Sequence, residues 1–149
     1  MTEAAYFVSK KAEMALTKPL LLLLRQQKLL PTEDFSVEIS SPLVAVPWDI
    51  ALFHSSGVLL VDIKLAVKAR YWGKVADATF EDIRQSLRNG VAVLLFIPPK
   101  IYLLFAEHLP LLPDELTTDF LEENTPSLLV DPETRSLVEG VYEAMLSTS

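Results

Sequence analysis

Apolar and polar residues alternate with the two-residue period of a β-strand in the middle of the chain, and apolar residues recur at helical spacing near its C-terminal end. Strands are predicted at 35–39, 44–53, 58–67, 91–97 and 101–105. Helices are predicted at 2–28, 79–89 and 134–145, with an irregular segment at 68–78. Pro19 predicts either a kink in the first helix or the start of a second helix capped by Thr17. Thr79 is the expected N-cap of the next helix, which Gly90 closes.

The predicted order is helix, three strands, helix and two strands, followed by a C-terminal helical tail. This order predicts an α/β fold with a central mixed β-sheet flanked by helices. A length of 149 residues fits a single domain, 1–149. Within it we expect a core at 1–105 and an acidic tail with the last helix at 106–149.

Three charged residues punctuate the two apolar runs between Val46 and Lys64. Asp62 and Lys64 are two positions apart on the strand 58–67, so both side chains lie on one face of the sheet. Asp49 lies on the preceding strand, and the intervening hairpin brings it alongside. Charged side chains are rarely buried unless they are paired or bind a metal, so stability alone explains this pattern poorly.

These residues resemble a known motif. Pro47, Trp48 and Asp49 stand where the PD-(D/E)XK nuclease superfamily, with its restriction-endonuclease-like fold, has a Pro-Asp pair, with one residue inserted. Asp62, Ile63 and Lys64 match its Asp/Glu-x-Lys half. The family core has the order helix-strand-strand-strand-helix-strand, and the resemblance covers about residues 2–105.

The resemblance implies a metal-dependent phosphodiesterase that acts on DNA as an endonuclease. Such chemistry needs a cation that activates water and offsets phosphate charge, and Mg²⁺ (or Mn²⁺) takes hard oxygen ligands. The implied ligands are Asp49, Asp62 and the carbonyl of Ile63. Lys64 would orient the attacking water or stabilise developing charge. Glu13, on the first helix, is a further candidate catalytic residue.

Charge is distributed unevenly along the chain. The net charge is −7, but residues 1–105 carry 12 Lys/Arg and 10 Asp/Glu, whereas residues 106–149 carry 1 Arg and 10 acids. A mildly basic body and an acidic tail favour different partners, and any DNA contact is expected from the body. The candidate nucleic-acid-binding residues are Lys68, Arg70, Tyr71, Trp72, Lys74, Arg84, Gln85 and Arg88.

Several classes of function fit the composition poorly. The chain has no cysteine, which excludes disulfides, thiolate zinc sites and a cysteine nucleophile. The leucine run at 20–24 is far shorter than the ~20 apolar residues needed to cross a membrane. We therefore expect no membrane partner. No signal sequence is recognised near the first residues, and we expect a cytoplasmic location.

Two alternatives to an active nuclease remain open. The inserted Trp48 and the acidic tail favour a catalytically inactive nuclease-fold module with a binding or regulatory role. The other alternative is an unrelated acidic α/β interaction protein in which the charged residues coincide by chance. A homodimer is possible in the nuclease interpretation, because cleavage of two strands often requires two copies.

Overall fold

A six-stranded mixed sheet lies between helices on both of its faces in the computed structural model. The structure describes residues 3–28, 36–39, 46, 48–54 and 57–147, and within these ranges the side chains of 3–13, 54 and 144–147 lie outside the description. The strands are β1 (Ser36–Ile39), β2 (Ile50–His54), β3 (Gly57–Leu65), β4 (Ala92–Ile97), β5 (Lys100–Leu104) and β6 (Ser127–Leu129). The helices are α1 (Glu3–Gln26), α2 (Ala69–Trp72), α3 (Asp77–Arg88), α4 (Thr118–Asn124) and α5 (Pro132–Ser147), with a 3₁₀ helix at Ala106–Leu111.

The strands lie side by side in chain order, from β1 at one edge to β6 at the other. The pair β3–β4 is parallel, and every other neighbouring pair is antiparallel. A parallel pair needs a crossover connection, which α2 and α3 supply between β3 and β4. The predicted α/β class with a mixed sheet flanked by helices is therefore confirmed.

The two faces of the sheet bury separate apolar clusters. On one face α1 and α5 cover the sheet through residues such as Leu20, Leu24 and Val138. On the other face α3 contributes Phe80 and Ile83 to a second cluster. The sheet is thus the middle layer, and its two faces pack against different helices.

Strand β3 divides its side chains between these faces as its sequence predicts. Val61 is fully buried in the α1–α5 cluster, and Ile63 packs against the same cluster. Asp62 and Lys64, at the alternate positions, lie on the opposite face, where Asp62 contacts Ser86 of α3. The two-residue period of the strand therefore decides which side chains reach the space beside α3.

Some local predictions are wrong. The N-cap of α3 is Ala76, not Thr79, and no side-chain hydrogen bond caps this helix. The segment predicted as irregular contains the short helix α2. Helix α1 continues through Pro19, so no second helix starts there. Pro19 is buried, and its neighbours Leu16 and Leu20 are fully buried; this packing stabilises a helix that proline alone disfavours.

The C-terminal segment is built into the sheet as well as into a helical layer. The helical tail that we predicted omitted β6, a three-residue strand that pairs with β5 at the sheet edge. Helix α5 packs beside α1 and buries Val138 and Val141 in the shared apolar cluster. Leu137 of the same helix is exposed. The acidic segment therefore supplies core residues and an edge strand.

Within the described ranges, none of the helices combines the length and the apolar character that crossing a membrane requires.

Candidate functional site

Asp49, Asp62 and Lys64 lie together in one cleft beside α3. The cleft has a volume of about 350 Å³. Its other lining residues are Val46, Trp48, Asp82, Gln85, Ser86, Asn89 and Val91. The residues just before β2, the middle of β3 and the polar face of α3 thus form its walls. The structure brings together the three charged residues that the motif singled out.

Asp49 is held at the point where the β2–β3 ladder ends. Its backbone N–H donates a hydrogen bond to the carbonyl of Val61 over 2.9 Å. Its carboxylate Oδ2 accepts a hydrogen bond of 2.7 Å from the backbone N–H of Ile63. A side-chain oxygen thus satisfies a strand N–H beyond the last registered pair, Ile50 with Val61. This contact fixes the Asp49 carboxylate beside the backbone that carries Asp62.

The carboxylate of Asp62 is largely enclosed. Its Oδ2 accepts a hydrogen bond of 3.1 Å from the hydroxyl of Ser86 and lies 3.3 Å from Nζ of Lys64. The Asp62 side chain is 17% exposed and that of Lys64 is 27% exposed. The ion pair is therefore partly shielded from water, where charge interactions are stronger than at an open surface.

The pKa of Asp62 is raised from its ordinary value of 3.8 to about 6. Burial is the main cause, the hydrogen bond and the negative charge of Asp49 add to it, and Lys64 opposes the shift. Two carboxyl groups that share a site resist simultaneous ionisation, because their negative charges repel. Lys64 alone does not neutralise the negative charges of both Asp49 and Asp62. Binding of a cation next to the two carboxylates would therefore be favourable.

The donor set fits a hard divalent cation better than a zinc ion. No group of three or more His, Cys, Asp or Glu side chains in the described part of the chain is placed to hold a metal ion. Mg²⁺, however, is commonly held by one or two carboxylates together with waters and phosphate oxygens. Asp49 and Asp62 supply two such carboxylates, and both line the same cleft. The two side chains are therefore oxygen donors of the kind that Mg²⁺ takes.

The remaining members of the predicted motif are placed only in part. The backbone N–H of Ile63 points to Asp49. The N–H and C=O of a strand residue point to the same side of the strand, so the carbonyl of Ile63 also faces Asp49. Glu13 lies in α1, but its side chain is outside the described residues, as is Pro47. Trp48, the inserted residue, lines the cleft.

The cationic candidates on and after α2 are largely paired with acids of the C-terminal segment. Arg70 forms an ion pair with Glu139 of α5, and Nζ of Lys74 lies 3.1 Å from Oε1 of Glu115. Lys68 is exposed and forms no ion pair with any residue that the structure describes. Ion pairs between the basic body, 1–105, and the acidic tail, 106–149, therefore neutralise part of the charge on each segment.

The three candidate nucleic-acid-binding residues on α3 all contact Glu81 of the same helix. Arg84 lies 3.4 Å and Arg88 3.8 Å from Glu81, and Gln85 donates a hydrogen bond of 3.2 Å to the same carboxylate. The Arg84 guanidinium also stacks over the ring of Phe80, 3.9 Å from its centroid. Only Gln85 of these three candidates lines the cleft.

Sequence reasoning missed three residues of the site, all on or directly after α3. Ser86 donates to Asp62, and Asp82 and Asn89 line the same cleft. Their spacing of three to four residues is that of one helix face. This polar face was visible in the sequence, but its orientation toward β3 depends on how α3 packs.

No family model, no curated protein and no solved structure matches the chain.

Proposed function

We propose that this protein is a metal-dependent phosphodiesterase that cleaves DNA, of the PD-(D/E)XK endonuclease type. The observation that carries the proposal is the convergence of Asp49, Asp62 and Lys64 in one cleft at the start of β2 and the middle of β3. The element order α1-β1-β2-β3-α3-β4, with the short α2 inside the crossover, adds support, because it follows the order of that family's core.

The chain's own groups have distinct roles in this proposal. Asp49, fixed by the N–H of Ile63, and Asp62, fixed by Ser86, are the two anionic ligands. A divalent cation bound there would lower the pKa of water and offset charge on the scissile phosphate. Lys64 lies 3.3 Å from the Asp62 carboxylate, beside the place where the attacking water would be bound, and can orient that water. Its positive charge is also available to a phosphate oxygen.

Cleavage of DNA in the presence of Mg²⁺ or Mn²⁺ tests the proposal. Supercoiled plasmid and labelled single-stranded, duplex and branched oligonucleotides are incubated with the purified chain, with EDTA as the metal-free arm. We expect Asp62→Asn and Lys64→Gln to reduce cleavage at least a hundredfold. Lys100→Gln is the matched control, because Lys100 is paired with Glu122 and is not among the cleft residues.

Two outcomes would contradict the nuclease proposal. One is cleavage that persists in Asp62→Asn and in EDTA, which would indicate a contaminating nuclease. The other is a folded chain with no cleavage of any of these substrates in either metal.

A binding module without catalysis is the second candidate. The observation that favours it is that Lys64 is paired with Asp62 and Asp49 accepts a backbone hydrogen bond, so both groups have structural partners. DNA binding without cleavage in Mg²⁺ would support this module. Absence of both DNA binding and metal binding would leave an acidic α/β interaction protein.

A further inference from the structure

A second cavity, of about 230 Å³, opens where β3 ends and α3 begins. Its lining residues are Leu65, Ala66, Lys68, Ala69, Trp72, Ala76, Thr79 and Tyr142. Helix α3 lines this cavity with Thr79 and the first cleft with Asp82 and Ser86. These positions are three to four residues apart and share one helix face, so the two depressions follow the same side of α3.

Strand β3 connects the same two depressions. Asp62 and Lys64 line the cleft, and Ala66, just beyond the strand, lines the cavity. At about 3.3 Å per residue, Asp62 and Ala66 are about 13 Å apart along the chain. Stacked nucleotides advance about 3.4 Å each along a strand, so this span corresponds to about four steps. One nucleic-acid strand can therefore reach both places.

The cavity combines an exposed aromatic ring with an exposed lysine. Trp72 is 60% exposed although it is a large apolar side chain, and its neighbour Tyr71 is 73% exposed. Lys68 lines the cavity and forms no ion pair with the residues that the structure describes, in contrast to Arg70 and Lys74. Aromatic faces beside a cation that meets the backbone are the pattern of single-stranded nucleic-acid binding.

We infer that this cavity stacks one base of a single-stranded DNA segment on Trp72 while Lys68 contacts its phosphate. The inference rests on the proposed function and specifies its substrate: DNA with an unpaired stretch next to the cleaved bond. The volume is below the 300–1,000 Å³ of sites for drug-sized ligands, which suits a single base. A base inside an intact duplex has both faces covered by its neighbours and does not enter such a cavity.

Tryptophan fluorescence gives a direct test in EDTA, where no metal-dependent cleavage occurs. The chain has 2 tryptophans, so Trp48→Phe leaves Trp72 as the reporter. Stacking of a base on Trp72 should quench this emission when a 15-residue oligothymidylate is added. A blunt duplex of the same length should quench it at least tenfold less effectively at equal concentration.

Affinity measured by anisotropy of labelled oligothymidylate gives the second test. We expect Trp72→Ala to weaken binding about tenfold and Trp72→Phe, which keeps an aromatic face, to retain most of the affinity. Lys68→Ala should weaken binding and lower the slope of log affinity against log salt by about 0.7, the value for one contact to a single strand. Leu129→Ala, at an exposed apolar residue of β6 on the far sheet edge, should have no effect.

The inference is overturned if Trp72→Ala binds the single strand as tightly as the parent, or if the Trp72 emission is unchanged at saturation. Equal affinity of the parent for blunt duplex and single strand would also overturn it. Failure of the proposed function looks different: Trp72-dependent binding of the single strand in EDTA, with no cleavage in Mg²⁺, supports the cavity and removes the nuclease.

Discussion

Replacing Asp62 by asparagine should stabilise this protein at neutral and alkaline pH. The pKa of the Asp62 carboxyl is about 6 in the folded chain and 3.8 in its ordinary state. Burial and the nearby Asp49 carboxyl disfavour the ionised form. Asparagine has the shape of the protonated acid, can accept the hydrogen bond from Ser86 and donate one toward Asp49, and carries no charge.

The size of the effect follows from the pKa difference. A shift of about two pKa units corresponds to about 3 kcal/mol between the two protonation states. Because the folded pKa is the higher one, the folded chain binds more protons between pH 3.8 and 6, so the free energy of unfolding falls as pH rises through that window. Below pH 3.8 Asp62 is protonated in both states, and above pH 6 the full destabilisation is present.

Urea unfolding of the parent and of Asp62→Asn at several pH values measures this difference. We expect the variant to exceed the parent by up to about 3 kcal/mol at pH 8 and by about zero at pH 4. Contributions of titrating groups that do not contact Asp62 cancel, because both chains contain them in the same surroundings. Asp114→Asn is the control, since Asp114 is exposed outside the cleft and its replacement should leave stability nearly unchanged at both pH values.

The explanation fails if Asp62→Asn is no more stable than the parent at pH 8. It also fails if the difference between the two chains is the same at pH 4 and pH 8. In either case the ionised carboxylates of Asp49 and Asp62 would not destabilise the folded chain. A cation bound between them would then gain nothing from relieving their repulsion.

Three further predictions concern the metal site, the C-terminal segment and the sheet edge. Millimolar Mg²⁺ should raise the melting temperature of the parent, because ligands that bind only the folded state stabilise it, and should leave that of Asp62→Ala unchanged; equal shifts in a thermal melt would contradict the site. Removal of residues 126–149 should prevent cooperative folding seen by circular dichroism, because it deletes β6 and the helix that covers α1; a cooperative melt of the truncated chain would instead support a separable tail. Tyr102→Phe should lower the free energy of unfolding by about 1.5–3 kcal/mol, since the buried hydroxyl donates a 2.7 Å hydrogen bond to the Glu122 carboxylate; denaturant unfolding with no loss would show that this bond contributes little.

Much of the arrangement around the cleft is a local property of the sequence. The alternation in β3 separates Asp62 and Lys64 from Val61 and Ile63, because a strand turns successive side chains to opposite faces. The spacing of Phe80, Ile83 and Leu87 similarly predicts the buried face of α3. These patterns were readable because the period of each element depends on its backbone geometry alone.

Other features depended on which elements lie next to one another. The three-residue strand β6 has too short a pattern to predict, and its pairing with β5 supplies its hydrogen bonds. The hydroxyl of Ser86 meets Asp62 from 24 residues along the chain, and Arg70 pairs with Glu139 from 69 residues along the chain. Local periodicity determines which face of its element a side chain occupies. The residue that it contacts on that face depends on how the helices pack onto the sheet.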